Sequence, residues 1–177
     1  MDYILRTAKD EDIPALREII EASARGLSTQ FYSSKQIELA LQGALGVDSQ
    51  LIEDRTYFCI EVKGEIVACG GWSYRSTLFG SDSEQSRNAT KLDPNTQAAK
   101  VRAFFVKPNY ARKGLGTLLM EKCEAEAIHK GYRKLELMAT LPGVKLYEQH
   151  GFSGQETVEY SLSDDMTITF VPMAKQL

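Results

Sequence analysis

One stretch of the sequence restricts the possible folds more than any other, because it predicts two strands joined by a helix. The first strand spans 100–106, where aliphatic and aromatic residues prevail, and it runs into a glycine-rich turn. A long amphipathic helix follows over 116–130 and ends at Gly131, and a second strand spans 134–140. Since a helical crossover joins parallel strands, the chain should contain a βαβ unit.

The sequence before and after this unit adds hairpins and further helices. The expected hairpin strands are 55–62 with 65–74, around the turn Lys63-Gly64, and 157–162 with 166–173. The other expected elements are a strand at 3–6 and helices from Ile13 to Gly26, from Ser33 to near Gly46, and over 143–150. The expected fold class is therefore α+β with a mixed α/β sheet, and 177 residues fit a single domain, 1–177.

Composition and charge exclude several classes of function. With 21 Lys and Arg against 24 Asp and Glu, the net charge is −3, so no broad basic surface for nucleic acid is expected. The sequence contains neither a run of roughly 20 apolar residues that could cross a membrane nor the pattern of a signal peptide. Its three cysteines and two histidines follow no ligand spacing. We expect a cytoplasmic protein without a metal, a membrane partner or a nucleic-acid partner.

The first hairpin also predicts where two cysteines lie. If the turn at Lys63-Gly64 closes a regular ladder, Cys59 pairs with residue 68. The thiols of Cys59 and Cys69 would then point to opposite faces of the sheet, and a disulfide between them would not form.

The glycine-rich turn is the segment with the most informative chemistry. Backbone N–H groups converge at such a turn beside the positive end of a helix, which suits a pyrophosphate, and Arg112 and Lys113 add positive charge. The alternative is that Gly114 and Gly116 only make a tight connection. The pattern of nucleoside triphosphatases is absent, and the dinucleotide fingerprint fails because Leu119 stands at its third glycine position.

Two segments resemble the motifs of one enzyme family. Residues 106–119 read Val-Lys-Pro-Asn-Tyr-Ala-Arg-Lys-Gly-Leu-Gly-Thr-Leu-Leu and resemble the acetyl-coenzyme A (acetyl-CoA) motif of the Gcn5-related N-acetyltransferase (GNAT) superfamily. Residues 146–152 read Leu-Tyr-Glu-Gln-His-Gly-Phe and resemble its Leu-Tyr-x-x-x-Gly-Phe signature. The order and separation of the motifs fit as well. One position departs from the pattern, since Ala111 stands where the family usually has Arg or Gln.

The resemblance implies a fold and a way of binding acetyl-CoA. The sheet would be GNAT-like and mostly antiparallel, with the parallel strands 100–106 and 134–140 splayed apart, and the pantetheine arm would pair with the first strand inside the gap. The residues implied in binding are Phe104, Phe105 and Val106 along the strand, and Arg112, Lys113, Gly114, Leu115, Gly116 and Thr117 at the pyrophosphate.

The resemblance also implies two roles in the reaction. A backbone N–H near Phe105 would stabilise the oxyanion that forms on attack. Tyr147 would protonate the departing thiolate, since a phenol with a pKa of about 10 keeps its proton at neutral pH. The alternative is that Tyr147 is a half-buried helix residue with no part in the chemistry. The sequence identifies no general base, although Glu61, Glu65 and Glu136 lie on other predicted strands.

Three interpretations of the function follow. The first is an acetyl-CoA-dependent N-acetyltransferase, in which a primary amine of a small molecule or peptide attacks directly in a ternary complex. The second is a non-catalytic module that binds acyl-CoA, against which Tyr147 argues. The third is an enzyme that acylates oxygen or sulfur, or that uses a longer acyl chain. Neither the acceptor nor the oligomeric state can be read from the sequence.

The polar run 76–99 has no periodicity, although it joins two predicted central strands. Structureless connections longer than about 12–15 residues are usually lids or disordered segments, and the sequence does not decide between the two. We predict a mobile cover beside the acceptor site, whose shortening would change acceptor binding more than acetyl-CoA binding.

Overall fold

The computed structural model describes residues 2–83 and 89–177, which form seven strands and five helices. The strands are β1 (Ile4–Thr7), β2 (Tyr57–Val62), β3 (Glu65–Ser73), β4 (Ala99–Val106), β5 (Lys134–Thr140), β6 (Val158–Ser163) and β7 (Met166–Gln176). The helices are α1 (Ile13–Leu27), α2 (Ser34–Ala40), α3 (Ser49–Glu53), α4 (Leu115–His129) and α5 (Val144–Gln149). No described helix has the length and apolar character that crossing a bilayer requires.

The strands form one sheet in the order β1-β2-β3-β4-β5-β7-β6. All neighbouring pairs are antiparallel except β4 and β5, which run parallel and are connected through α4. The predicted mixed sheet, its βαβ unit and both hairpins are therefore confirmed. The turn of the first hairpin has φ values of 53° at Lys63 and 81° at Gly64, the pair of positive angles that a type I′ turn needs.

The parallel pair comes apart shortly after it begins. β4 and β5 pair only at residues 99–100 and 135–136. Beyond that point β4 contains a β-bulge, since its residues 102–105 lie opposite the shorter segment 69–71 of β3, and Ala103 takes a φ of 56°. A bulge bends its strand, so β4 leaves β5 and an open gap separates the two. The predicted splay is confirmed.

Helices cover both faces of the sheet. On one face, the buried side chains of Leu135, Leu137 and Ala139 pack under α4 and α5. On the other face, two smaller clusters lie under α1, α2 and α3, and Met138 of β5 packs against one of them. We call these the α4 face and the α1 face of the sheet, and the gap between β4 and β5 opens onto both.

The second predicted helix is shorter in the structure than in the sequence analysis. Ser33 caps α2 as expected by accepting a hydrogen bond from the amide of Gln36, but the helix ends at Ala40 rather than near Gly46. A third helix, α3, was not predicted, because its five residues are too few to show a periodic pattern.

The predicted cysteine register is wrong. A bulge in β3 shifts the hairpin, since Val67 is an extra residue opposite the step from Ile60 to Glu61. Cys59 therefore lies directly opposite Cys69, and both belong to the cluster on the α1 face. Both thiols are free and buried, and burial raises the pKa of each to about 12. A single inserted residue reverses the face of every side chain beyond it, which a count from the turn cannot detect.

The described parts of the polar run 76–99 lie against the rest of the protein. The amide of Ser76 donates to the carbonyl of Thr90, and Thr77 and Ser81 are buried. These contacts favour a packed segment over the predicted mobile cover at residues 76–83 and 89–98. Residues 84–88 lie outside the described residues.

Candidate active site

The turn before α4 presents a row of backbone amides. Arg112 and Gly114 take left-handed φ values of 62° and 83°, which allow successive N–H groups to converge. The first hydrogen bond of the helix runs from the amide of Leu118 to the carbonyl of Gly114. Within the described part of the chain, no backbone carbonyl accepts from the amides of residues 112–117, which lie at the positive end of the helix.

Helix α5 packs directly on the first turn of α4. A Cβ atom at Gly116 would lie 2.9 Å from Cδ2 of Leu146, so any larger residue there would have to displace the Leu146 side chain. The Nε2 atom of His150 lies 3.2 Å from the hydroxyl of Thr117. These two contacts join the glycine-rich turn to the helix that carries Tyr147.

Tyr147 lies across the gap on the α4 face. Its ring makes edge-to-face contacts with Phe104 of β4 and with Phe152, at centroid distances of 6.2 and 6.0 Å. Gly143 provides the space, since a Cβ atom there would lie 3.0 Å from the ring. A side chain that follows β5 and touches β4 must lie over the space between the two strands.

The Tyr147 hydroxyl is suited to donating a proton. The residue is 9% exposed, and its hydroxyl has no hydrogen-bond partner among the described residues. Burial raises its pKa well above the usual value, with a smaller contribution from Cys123. The phenol therefore keeps its proton at neutral pH and has no competing acceptor.

Successive backbone amides of β4 point alternately toward β3 and toward the gap. The amide of Lys107 donates to the carbonyl of Val67 on β3, and the amide of Phe105 is directed to the thiol of Cys69, also on β3. Because alternate amides of a strand point in opposite directions, those of Phe104 and Val106 face the gap. The oxyanion donor that the sequence places near Phe105 would thus be the amide of one of its two neighbours.

One of these two amides is already in contact with helix α1. The amide of Val106 lies 3.4 Å from the hydroxyl of Ser23, a long and weak hydrogen bond. The amide of Phe104 is therefore the better placed donor toward a group inside the gap.

The three glutamates considered from the sequence are all held in ion pairs. Glu61 pairs with Arg6, Glu65 with Lys107, and Glu136 with Lys100 and Lys134. Hydrogen bonding to Lys100 and the charges of both lysines lower the pKa of Glu136 against the opposing effect of burial. None of the three is assigned as a general base. In residues 2–83 and 89–177, no three His, Cys, Asp or Glu side chains cluster as a metal site would require.

The α1 face of the gap is organised by side chains that sequence reasoning missed. The Tyr32 hydroxyl donates to the carbonyl of Thr169 on β7 at 2.7 Å and accepts from the amide of Leu141, just after β5, at 2.8 Å. Burial raises the pKa of Tyr32 to about 12. Nearby, Arg102 of β4 forms a buried ion pair with Asp48, with 2.7 Å between its guanidinium and the carboxylate. No local pattern marks either contact, because the partners are far apart in sequence.

Comparisons with known proteins agree with this architecture. A family model described as the acetyltransferase (GNAT) family matches residues 13–152. A GCN5-related N-acetyltransferase from Rhodopseudomonas palustris has a TM-score of 0.72 at 18% identity, over 100% of this chain and 97% of that one. PaiA N-acetyltransferase from Thermoplasma acidophilum, in complex with coenzyme A, has a TM-score of 0.68 at 16% identity over 100% of both chains.

A third similar structure is a ribosomal-protein-alanine N-acetyltransferase from Brucella melitensis, with a TM-score of 0.64 at 15% identity over 98% of this chain and 99% of that one. At such identities the solved structures show the fold alone. A comparison with curated proteins finds no match. The family model, which spans most of the sequence and both motifs, shows that the chain belongs to the acetyltransferase (GNAT) family.

Proposed function

We propose that the protein is an acetyl-CoA-dependent N-acetyltransferase that acts on a primary amine of a small molecule or peptide. The observation that carries this proposal is the position of Tyr147, whose unpartnered phenol lies over the gap between β4 and β5. A module that only binds acyl-CoA would have no need of a proton donor there. The whole chain, 1–177, acts as one domain in this proposal.

Acetyl-CoA would bind chiefly to backbone groups. The pyrophosphate would meet the amides of residues 112–117, with Arg112 and Lys113, both exposed, adding positive charge at the mouth. The pantetheine arm would run along the unpaired edge of β4 at residues 104–106, as an added strand does. The coenzyme A complex of the Thermoplasma relative supports this choice of donor.

The reaction would be a direct transfer. The uncharged amine nitrogen attacks the thioester carbonyl carbon, and the carbonyl oxygen becomes an oxyanion that the Phe104 amide can stabilise. When the C–S bond breaks, the thiolate takes the proton of the Tyr147 hydroxyl, and the phenolate then regains a proton from water. The amine gives up its own proton to water, because no side chain is assigned as its base.

The acceptor is proposed from the relatives as an amine. The Brucella protein acts on ribosomal-protein alanine by its description, and the Thermoplasma protein is described as an N-acetyltransferase. An oxygen or sulfur nucleophile, or a longer acyl donor, would need the same gap and the same proton donor, so substrate panels must decide between them.

The direct test is release of free coenzyme A thiol from acetyl-CoA in the presence of a panel of amines, alcohols and thiols. The proposal expects acetyl-CoA binding by calorimetry and thiol release that depends on an amine. Binding without release under any acceptor would favour the non-catalytic module. Release with alcohols or thiols but not with amines would contradict N-acetylation.

A further inference from the structure

Residues 76–82, which we call the strap, cross the α1 face of the gap. The strap contacts Arg102 of β4 near one end, and its Phe79 ring packs edge-on against Tyr160 of β6 and Phe170 of β7 at 5.1 and 5.6 Å. Since β5 lies between β4 and β7 in the sheet, a segment that touches both neighbours on one face must pass over β5 and over the gap beside it.

The second end of the strap is fixed on the connection between α2 and α3. The amide and the hydroxyl of Ser81 both donate to the carbonyl of Gly43, and the amide of Asp82 donates to the carbonyl of Val47. A Cβ atom at Gly46 would lie only 2.6 Å from Cβ of Ser81. The strap therefore rests directly on this connection, with no space for a larger residue at Gly46.

The guanidinium of Arg102 binds the strap from the side of the sheet. Its two terminal nitrogens donate to the carbonyls of Thr77 at 3.0 Å and Gly80 at 2.8 Å, while one of them pairs with the carboxylate of Asp48 at 2.7 Å. Arg102 is 4% exposed and Asp48 is fully buried. Moving the strap would leave donors of a buried arginine without acceptors, which is strongly unfavourable.

The strap borders the route that remains open to a second substrate. On the α4 face, the rings of Tyr147 and Phe104 cover the gap, and acetyl-CoA enters at the turn 112–117 in the proposed function. An acceptor must then approach from the α1 face, where the strap lies. The ion pair beneath the strap adds no net charge, and the carboxylate of Asp82 is bound by the amide and hydroxyl of Ser49, so the strap would select mainly by shape.

We propose that the strap is a fixed wall of the acceptor entrance, and that Arg102 and Asp48 are positioning residues that set which amines enter by holding it in place. The inference rests on the proposed function, because it concerns the acceptor of that reaction. In this proposal the strap is a rigid boundary rather than a mobile cover. Displacing the strap should therefore change the selectivity of the enzyme between slim and bulky amines.

The first test compares Gly46→Ala with Gly43→Ala, two substitutions in the same connection. The added methyl group meets Ser81 at position 46 but has nothing within 4 Å at position 43. The ratio of kcat/KM for 2-phenylethylamine to that for propylamine should change by about tenfold in Gly46→Ala. It should change by less than about twofold in Gly43→Ala, and acetyl-CoA affinity should stay the same in both.

The second test keeps the positive charge at position 102 but removes the branched guanidinium group that binds several acceptors at once. In Arg102→Lys, one ammonium cannot reach both carbonyls and the carboxylate as the guanidinium does. The matched control is Arg6→Lys at the β1 edge, where Arg6 is also forked onto two carboxylates, Asp12 and Glu61. Amides of residues 77–82 should exchange hydrogen faster only in Arg102→Lys, with the same shift in amine selectivity.

Two outcomes overturn the inference. One is equal selectivity in Gly46→Ala and Gly43→Ala; the other is faster exchange in the strap of Arg102→Lys with unchanged selectivity. Both require an enzyme that acetylates amines, so they leave the proposed function intact. If the unmodified protein binds acetyl-CoA but acetylates no amine, the proposed function and the inference fall together.

Discussion

The two sides of the gap between β4 and β5 are built by different means. On the α4 face, the groups proposed to bind acetyl-CoA are backbone amides of one continuous stretch, residues 104–117. On the α1 face, the boundary consists of side chains whose partners are distant in sequence, such as Tyr32 with Thr169 and Arg102 with Asp48. A site made of backbone tolerates changes of side chain, whereas a site made of side chains changes its shape with each substitution.

The largest effect should come from removing the phenol on the α4 face. In Tyr147→Phe, the ring and its contacts with Phe104 and Phe152 remain, so the protein should fold and bind acetyl-CoA normally. A positioned acid is worth about 10²–10⁴-fold in rate, and kcat should fall within that range. Steady-state kinetics with a chemistry-limited amine, together with calorimetry, would measure both quantities.

Two other results for Tyr147→Phe would have distinct meanings. An unchanged kcat would reject the role as proton donor. Loss of folding would show that the residue is structural, which the absence of a hydrogen-bond partner for its hydroxyl within the described chain argues against.

Much of the α4 face could be predicted from sequence because its signals are local. The strand β5 spans 134–140 as predicted, and glycines 114 and 116 mark the turn and the start of α4. Each of these features depends on residues within one turn or one strand. The resemblance to GNAT motifs rests on the same short segments, and the family match confirmed it.

The strand register and the packing of residues 76–83 could not be predicted, because they depend on β-bulges and on contacts between residues far apart in sequence. The bulges in β3 and β4 each shift the register by one residue, and the first of them moved Cys59 opposite Cys69. The packing of residues 76–83 depends on hydrogen bonds from Arg102, which follows them in the sequence by about 20 residues. Nothing in the residues next to Arg102 distinguishes it from an ordinary strand residue.

A second prediction concerns the α1 face and should affect stability rather than acetyl-CoA binding. Tyr32→Phe removes the hydroxyl that bridges the carbonyl of Thr169 and the amide of Leu141. Leaving two backbone groups without this partner should lower the free energy of unfolding by about 1–3 kcal/mol. Denaturant unfolding measures the loss, and calorimetry should show unchanged acetyl-CoA affinity. A tenfold loss of that affinity would contradict the separation of the two faces.

A smaller effect is expected where α5 meets the turn. Thr117→Val removes the hydroxyl beside Nε2 of His150 while keeping the side-chain shape. One polar contact contributes about 0.5–1.5 kcal/mol to stability, so the free energy of unfolding should fall by about that amount in denaturant titrations. His150→Phe should have a similar effect, and the double variant should lose no more than either single one. Additive losses would show that the two residues act independently.

The smallest effect is expected from alkaline pH. A proton donor works while it is protonated, and burial raises the pKa of Tyr147 above its usual value. Between pH 8 and about 10, the rate should therefore rise or level off as the acceptor amine loses its proton, without a fall caused by Tyr147. A decline in this range that is missing in Tyr147→Phe would contradict the raised pKa.

The central claim is that acetyl-CoA binds at the turn before α4, and two matched glycines test it most directly. Gly114 and Gly64 have nearly equal φ values of 83° and 81°, and neither has any atom within 4 Å of an added Cβ. Gly114→Glu and Gly64→Glu therefore impose similar backbone strain, but only the first places a carboxylate at the proposed pyrophosphate site. Titration calorimetry should show acetyl-CoA binding at least about tenfold weaker in Gly114→Glu and unchanged in Gly64→Glu, and equal affinities in the two variants would contradict the account.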